Sequence, residues 1–293
     1  MYYMRWTYGV WAASNALVVV VPILTVLHSY HWLVAYSLLW LGFRAGLRWW
    51  WTEERHHMFL RHFCAEFYTT PELSAPPTRD RTIFAVAPHG LFSAGIGMLA
   101  GFRLRTGIHK LVAPLLLACP GFGDFLRTPG LEFDPANRAA MQRLTSAGKN
   151  IVLLPGGFTE IQHTTRFRYS LYVPTGYLAW ACRTSYTVVP VLSLGENELF
   201  STWTLTRAGH FGHRRWVIPL LVPYWDHRVP IMLCYGTPIA CTPQDDVSAV
   251  RIRVQQEYVR LLRENVDVYC TRCNEVVAHE RVHPSQFTIT FLS

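Results

Sequence analysis

Three short turns carry the side chains best suited to acid–base chemistry, and the first is Pro88-His89-Gly90. In this turn a histidine follows an apolar run and stands between two residues that favour sharp bends. A histidine has an ordinary pKa of about 6.5, so a neutral imidazole here can accept a proton at physiological pH. The residue types predict either a general base or a histidine that only caps the turn.

The second turn is Pro155-Gly156-Gly157, followed three residues later by Glu160. Two glycines after an apolar run let backbone amides approach a ligand closely. Glu160 is placed to orient a hydroxyl or an imidazole. The backbone amides near Gly90, or those near Gly156 and Gly157, are candidates to stabilise an oxyanion.

The third turn holds Glu196, Asn197 and Glu198 after another apolar run. Two carboxylates beside an amide are costly to remove from water unless they are exposed or paired. This cost favours a polar pocket over a core position for the three side chains.

The turns follow apolar runs that are rich in β-branched residues and lack clear alternation, which is typical of strands covered on both faces. These runs lie at residues 82–87, 151–154, 187–192 and 231–235. Helical patterns occupy residues 135–147 and the segment that begins at Thr242, where Thr-Pro-Gln-Asp-Asp is typical of a helix start. The alternation predicts an α/β fold with a mostly parallel sheet flanked by helices, and the site at the carboxyl ends of its strands.

The composition indicates a protein that contacts lipid. Of the 293 residues, 51% are hydrophobic and only 16% are charged, with a net charge of +8, whereas soluble domains carry about 25% charged residues. The positive balance suits an anionic membrane surface or an acidic co-substrate. The basic residues are scattered and match no nucleic-acid-binding motif, so no nucleic acid partner is expected.

The first part of the chain has the pattern of a membrane hairpin. No Asp, Glu, Lys or Arg lies between Arg5 and Arg44. Residues 9–27 are long enough to cross a hydrocarbon core of about 30 Å, and residues 32–43 form a second, shorter run. Arginines at both outer ends predict that both ends lie on the cytoplasmic side.

The expected organisation has four parts, since residues after the hairpin form an amphipathic pattern that ends at a proline-rich break. They are a transmembrane or re-entrant hairpin at residues 1–52, an interfacial helix and linker at 53–78, a core at 79–270 and a polar tail at 271–293. The seven cysteines lie mostly in apolar runs, which predicts reduced, buried thiols. Cys270, Cys273, His279 and His283 suggest a metal site, but the spacing is shorter than the ~12 residues of a zinc finger, so no metal is expected.

Four motifs in this order resemble the type 2 diacylglycerol acyltransferase family, which includes monoacylglycerol and wax-ester acyltransferases. They are Pro88-His89-Gly90, Pro155-Gly156-Gly157-x-x-Glu160, Val189-Pro190-Val191 continuing to Glu196-Asn197-Glu198, and Tyr235-Gly236-Thr237-Pro238-Ile239. The resemblance runs from about residue 82 to 269, and the hairpin before it is also similar. Each motif is weak alone, whereas four in one order are specific.

The resemblance implies an enzyme that moves a fatty acyl group from acyl-CoA, a co-substrate, to a lipid hydroxyl, without a permanently bound cofactor. Monoacylglycerol and diacylglycerol are the favoured acceptors, and a long-chain alcohol or a lysophospholipid is the alternative. His89 takes the position of the second histidine of the family's His-Pro-His-Gly motif and would act as general base. In a eukaryote such an integral membrane protein would reside in the endoplasmic reticulum and on lipid droplets, and a homo-oligomer is one assembly that the pattern allows.

Three departures from the family pattern support a second hypothesis, a catalytically inactive scaffold that binds lipid or acyl-CoA. Ala87 replaces the first histidine, Pro174-Thr175-Gly176-Tyr177 replaces a basic Arg-Lys-Gly-Phe stretch, and Ala94 stands where the wider superfamily has the aspartate of His-x4-Asp. Another acid must therefore orient the ring, and Glu160 or Glu196 is the candidate. The candidate substrate-binding residues are Pro88, Gly90, Gly156, Gly157, Arg166, Arg168, Glu196, Asn197 and Glu198.

Overall fold

The computed structural model of the protein describes residues 80–90, 107–118, 123, 126–127, 131–198, 200–205, 210–211, 214–215, 218–223, 230–276 and 281–292. The predicted hairpin at residues 1–52 and the interfacial helix and linker at 53–78 lie outside these residues. Within the described ranges, no helix combines the length and the apolar character that a membrane crossing requires.

Strands and short helices alternate along the described core. The strands are β1 (Thr82–Ala87), β2 (Ile108–Val112), β3 (Phe133–Pro135), β4 (Asn150–Leu153), β5 (Arg168–Leu171), β6 (Thr187–Leu194), β7 (Phe200–Leu205), β8 (His210–Phe211), β9 (Arg214–Arg215), β10 (Ile218–Pro223), β11 (Met232–Tyr235), β12 (Ile239–Ala240) and β13 (Thr288–Phe291). The helices are α1 (Pro114–Ala118), α2 (Arg138–Ser146), α3 (Gly157–Gln162), α4 (Thr175–Thr184) and α5 (Val247–Val276), with 3-10 turns at Glu196–Glu198 and Pro284–Gln286.

The main sheet has seven strands in the order β11-β6-β1-β4-β2-β3, and β12 also pairs with β6. Strand β1 pairs in parallel with β4 and β6, and β2 pairs in parallel with β4 and β3. Only the pairings of β11 and β12 with β6 are antiparallel within this sheet. The predicted mostly parallel sheet flanked by helices is therefore confirmed.

Strand β1 is buried at all six positions, which explains its run of apolar residues without alternation. Ile83 and Ala85 join a large core cluster that includes residues of α2, α4 and α5, whereas Phe84 and Val86 join a second, smaller cluster. Tyr258 of α5 is fully buried, and its hydroxyl donates a hydrogen bond to the Ala85 carbonyl oxygen at 2.7 Å. Helix α5 is thereby tied to the strand that carries the first turn.

The Tyr258→Phe variant is expected to be less stable by about 1–2 kcal/mol, because the change removes a buried hydrogen bond. Tyr177→Phe is the matched control, since the Tyr177 hydroxyl is buried and has no hydrogen-bond partner among the described residues. The control should leave stability unchanged or raise it. The midpoint of thermal unfolding of each purified variant measures the effect, and equal losses in the two variants would contradict this account.

The C-terminal segment is part of the fold, so the predicted polar tail at residues 271–293 is wrong. Helix α5 continues to Val276, and β13 pairs in parallel with β5. Phe287 is buried, and its ring makes an edge contact with Tyr269 at 5.7 Å between centroids. The boundary after residue 270 therefore cuts through a helix rather than marking the end of the core.

The cysteines in the described part of the chain are free and buried, as predicted. Cys270 and Cys273 lie on α5 inside the large core cluster. Within the described residues no group of three His, Cys, Asp or Glu side chains could hold a metal ion. His279 lies outside those residues.

Candidate active site

The three turns predicted from the sequence lie side by side at one edge of the sheet. They follow the carboxyl ends of β1, β4 and β6, and β1 lies between the other two strands. His89 comes two residues after β1, and its backbone amide donates a hydrogen bond to Glu160 Oε2 at 2.7 Å, which joins the first turn to α3. Because these neighbouring parallel strands end at the same edge of the sheet, the turns that follow them come together there.

The imidazole of His89 is held by its own turn. Its Nδ1 atom lies 2.8 Å from the carbonyl oxygen of Gly90. Because a carbonyl oxygen only accepts hydrogen bonds, the ring proton lies on Nδ1 and the lone pair lies on Nε2. Burial lowers the pKa of His89 below 6.5, although hydrogen bonding to the Gly90 backbone acts in the opposite direction. The ring is therefore neutral at physiological pH and is only partly exposed.

This pKa direction predicts the acid limb of the pH–rate profile. A histidine base acts only in its neutral form, so activity should fall as the pH drops below the lowered pKa of His89. The apparent pKa for kcat/KM should therefore lie below 6.5. Initial rates between pH 5 and 8 measure it, with enzyme preincubated at each pH and assayed at pH 7.5 as the control for denaturation. An acid limb with an apparent pKa above 7 would contradict the assignment.

Glu160 holds the backbone of the site rather than the ring. Its Oε2 atom accepts from the His89 amide and its Oε1 atom accepts from the Tyr172 amide, each at 2.7 Å. Burial raises the pKa of Glu160 to about 7, and the two backbone hydrogen bonds lower it by less. We predicted that Glu160 could orient a hydroxyl or an imidazole, with Glu196 as the alternative acid for the ring; the described contacts of the Glu160 carboxyl group are instead with main-chain amides, one of them in the His89 turn.

Gly156 provides the space for the Glu160 carboxyl group. A Cβ atom at this position would overlap the Glu160 carboxyl carbon and Oε1. Gly157 has a φ of +47°, a conformation that favours glycine at the start of α3. The sequence predicted that these glycines admit a ligand; the structure adds that Gly156 admits a side chain of the protein itself.

Glu196 lies against the first turn. It is 2% exposed and accepts a hydrogen bond from the Ser193 hydroxyl at 3.1 Å. A Cβ atom on Gly90, whose φ is +53°, would lie 3.0 Å from both Cβ and Oε2 of Glu196. Glu196 is therefore close to the His89 turn.

Asn197 and Glu198 are bound to the first residues of β5 and to the residue before the strand. The Asn197 amide donates to the Arg168 carbonyl oxygen at 2.9 Å. Glu198 accepts from the Phe167 amide at 3.0 Å and from the Tyr169 hydroxyl at 3.3 Å, and burial raises its pKa to about 7. Both side chains are buried, and each makes hydrogen bonds within the protein, although Asn197 Oδ1 has no hydrogen-bond partner among the described residues. We predicted a polar pocket at this position. Through these hydrogen bonds the two side chains hold the start of β5.

The two arginines predicted to replace the missing basic stretch differ in their surroundings. The Arg166 guanidinium stacks over the Phe167 ring at 4.6 Å, and its charge lowers the pKa of Glu198. Arg168 is exposed at the start of β5. Neither residue lines the cleft that opens next to the second turn.

That cleft has a volume of about 420 Å³ and lies between α2 and α4 at the carboxyl ends of β2 and β4. Its wall includes Pro155, directly before Gly156, and two arginines, Arg138 and Arg183. We did not predict either arginine as a site residue from the sequence. Their positions on two different helices, 45 residues apart, gave no local signal.

Comparison with solved structures finds a similar fold. The chain is similar to the 1-acyl-sn-glycerophosphate (LPA) acyltransferase PlsC from Thermotoga maritima, with a TM-score of 0.50 and 16% sequence identity. The similarity covers 78% of this chain and 89% of PlsC. At this level of identity the likeness concerns the fold.

Comparison with curated proteins adds a sequence relative. The chain is 27% identical over 203 residues to 2-acylglycerol O-acyltransferase 1 from Homo sapiens, which is 61% of this chain and 58% of the human protein. It thus spans less than two thirds of the length of that relative. No family model matches the chain. The resemblance to acylglycerol acyltransferases predicted from the four motifs is confirmed by this relative.

Proposed function

We propose that the protein is a membrane-bound O-acyltransferase that moves a fatty acyl group from acyl-CoA to the hydroxyl of monoacylglycerol or diacylglycerol. The observation that carries the proposal is the contact between His89 Nδ1 and the Gly90 carbonyl oxygen. It assigns the proton-accepting lone pair to Nε2, in a turn at the sheet edge where α/β enzymes hold their sites. The names of both relatives, which are acyltransferases of glycerol-based lipids, support glycerolipid chemistry.

The proposed reaction is a direct transfer within a ternary complex. Nε2 of His89 takes the proton of the acceptor hydroxyl while the hydroxyl oxygen attacks the thioester carbonyl carbon. The resulting oxyanion then collapses, the carbon–sulfur bond breaks, and the imidazolium returns its proton to the CoA thiolate. The products are the lipid ester and CoA, and the base is regenerated.

The oxyanion requires hydrogen-bond donors near the attacked carbonyl. The His89 amide is bonded to Glu160. The candidate donors are therefore the neighbouring backbone amides at Gly90 and at the Gly156-Gly157 turn.

Exposed apolar side chains near the site support a membrane location. Leu115 and Leu116 of α1, which follows β2, are 74% and 39% exposed, and Phe158 of α3, which follows β4, is 49% exposed. Because β2 and β4 are neighbours, these side chains lie along the sheet edge that carries His89. An apolar edge can rest on a bilayer and receive a lipid acceptor from it. In this proposal the predicted hairpin anchors the chain, with the core on the cytoplasmic side.

A turnover assay with a panel of acceptors tests the proposal. Full-length protein in lipid nanodiscs is given radiolabelled oleoyl-CoA together with monoacylglycerol, diacylglycerol, a long-chain alcohol or a lysophospholipid. We expect labelled diacylglycerol or triacylglycerol as the main product. Protein that binds acyl-CoA but forms no product with any acceptor would instead establish the scaffold hypothesis suggested by Ala87 and the missing basic stretch.

A further inference from the structure

The cleft beside the second turn carries positive charge that the proposed chemistry does not use. Its floor is formed by apolar side chains, among them Leu111, Met141 and Leu153, and its rim holds Arg138 and Arg183. No aspartate or glutamate is among the residues described as lining it. The cleft therefore combines an apolar floor with two positive charges and no opposing charge.

Neither rim arginine is neutralised by the protein in the part of the chain that the structure describes. There, Arg138 and Arg183 make no ion pair and no hydrogen bond, whereas Arg143 of the same α2 helix pairs with Asp134. The Arg183 guanidinium lies over the Trp180 ring at 4.9 Å, which holds it against the wall of the cleft. An unpaired guanidinium fixed by an aromatic ring is well suited to bind a phosphate.

Helix α2 adds to this positive field because its first turn lines the cleft. Asn137 caps the helix by accepting a hydrogen bond from the Ala140 amide at 2.9 Å, and Asn137 and Arg138 both line the cleft. The partial positive charge of a helix N-terminus thus lies on the same wall as the Arg138 guanidinium.

The cleft also borders the second of the three turns. Pro155 lines it and directly precedes Gly156, which packs closely against the Glu160 carboxyl group. Tyr177 lines it as well; burial raises the pKa of its hydroxyl, and the charge of the Glu160 carboxylate raises it further. The cleft therefore borders the Pro155-Gly156-Gly157 turn, which adjoins the Glu160 carboxyl group.

We propose that this cleft binds the coenzyme A portion of the acyl-CoA donor, with Arg138 and Arg183 holding its phosphates. The inference rests on the proposed function. The donor is an anion with a long apolar part, which matches the charge and floor of the cleft, whereas a neutral acylglycerol acceptor offers nothing for the arginines to bind. A volume of about 420 Å³ falls within the range of about 300–1,000 Å³ typical of ligand sites.

The test compares two donors that differ only in the nucleotide, oleoyl-CoA and oleoyl-pantetheine. In the wild type, the ratio of kcat/KM for oleoyl-CoA to that for oleoyl-pantetheine reports what the phosphates contribute. Arg138→Ala and Arg183→Ala should each lower this ratio about tenfold and leave the value for oleoyl-pantetheine unchanged, since each removes a charge-assisted contact. Arg263→Ala, a change of an exposed arginine on α5 outside the cleft, is the matched control and should leave the ratio unchanged. Equal losses with both donors would overturn the proposal.

A lysophospholipid acceptor also joins a phosphate to an apolar chain, so a second arm separates the two sources. Rates with lysophosphatidate and with monoacylglycerol are compared in the same variants, using oleoyl-pantetheine as donor. If the cleft binds the donor, the ratio of these two rates should be the same in the arginine variants as in the wild type. If the arginine variants lose activity selectively with lysophosphatidate while the donor ratio stays constant, the cleft holds the acceptor and the proposal fails.

Binding of CoA without turnover separates this inference from the proposed function. Calorimetric titration of the full chain with CoA should give a Kd that rises about tenfold in each arginine variant and is unchanged in Arg263→Ala. Arginine-dependent CoA binding in a protein that transfers no acyl group would support the cleft assignment and refute the proposed function. Acyl transfer in which the donor ratio is the same in the wild type and in the arginine variants would support the proposed function and refute the cleft assignment.

Discussion

Replacing His89 with alanine is expected to lower the rate of acyl transfer by about 10²–10⁴-fold without unfolding the protein. The change removes the imidazole whose Nδ1 is bonded to the Gly90 carbonyl oxygen and whose Nε2 takes the acceptor proton in the proposed reaction. Glu160 cannot substitute as the base, because both of its carboxyl oxygens accept backbone hydrogen bonds. The backbone amide of residue 89 survives the substitution, so the Glu160 contact that holds the turn is retained.

The matched control is His163→Ala, because His163 is an exposed histidine at the end of α3 whose ring contacts only the nearby Thr159 carbonyl oxygen among the described residues. Its activity should equal that of the wild type. Initial rates with labelled acyl-CoA, together with the thermal midpoint and the Kd for CoA, separate loss of chemistry from loss of folding or binding. Activity within a few-fold of wild type in His89→Ala would refute the general-base assignment.

The strand pattern and the position of the site were predictable because they depend on local composition and on a topological rule. The run at residues 82–87 matches β1, and the run at 187–192 lies within β6. These strands are mainly apolar because nearly all of their residues, on both faces of the sheet, are buried. Once a parallel sheet is inferred, the turns after neighbouring strands must meet at one edge.

The partners of the buried carboxylates were not predictable from the sequence. Glu160 bonds to the His89 amide, 71 residues away, and Glu198 bonds to the Phe167 amide, 31 residues away. Desolvation cost indicates that a buried carboxylate needs a partner but does not say which one. Every residue except proline offers a backbone amide, so residue types carry no signal for such a partner.

The sequence also misplaced the start of helix α5 and missed strand β13. The helix predicted to begin at Thr242 begins at Val247, because the Asp245 carboxylate turns back to accept from the Thr242 amide, and Asp246 caps the helix by accepting from the Ser248 amide at 3.0 Å. Strand β13 has only four residues, and each pairs with the β5 residue that lies 120 positions earlier in the sequence. Such a short run shows no periodicity that distinguishes it from a tail.

The position of Ala87 bears on the choice between an enzyme and an inactive scaffold. Ala87 is the last residue of β1, is 1% exposed and belongs to the large core cluster. Alanine at this position therefore fills core space and places no polar group where water is absent. His89, by contrast, is partly exposed beyond the strand end. The departure from the family pattern thus falls on a packing position and leaves the geometry of the proposed base intact.

The second large effect is expected from Gly156→Ala, which should lower activity by about 10²-fold and stability by about 2–4 kcal/mol. The φ of −76° and ψ of −26° at Gly156 are ordinary for alanine, so the backbone itself tolerates the change. The added methyl group would overlap the Glu160 carboxyl group and displace it. Two partly buried amides, of His89 and Tyr172, would then lose their acceptor, at about 1–2 kcal/mol each. Displacement of the His89 turn by about 1 Å is sufficient for a 10²-fold loss of rate.

A double-mutant cycle tests whether Gly156 acts through Glu160. Glu160→Ala removes the same two hydrogen bonds and should have a similar cost. In that background Gly156→Ala has no carboxyl group left to displace, so it should change the rate and the thermal midpoint very little. The two substitutions are therefore expected to be strongly non-additive. Additive losses would mean that Gly156 is needed for another reason, such as the close approach of a ligand, and that the Glu160 bridge does not position His89.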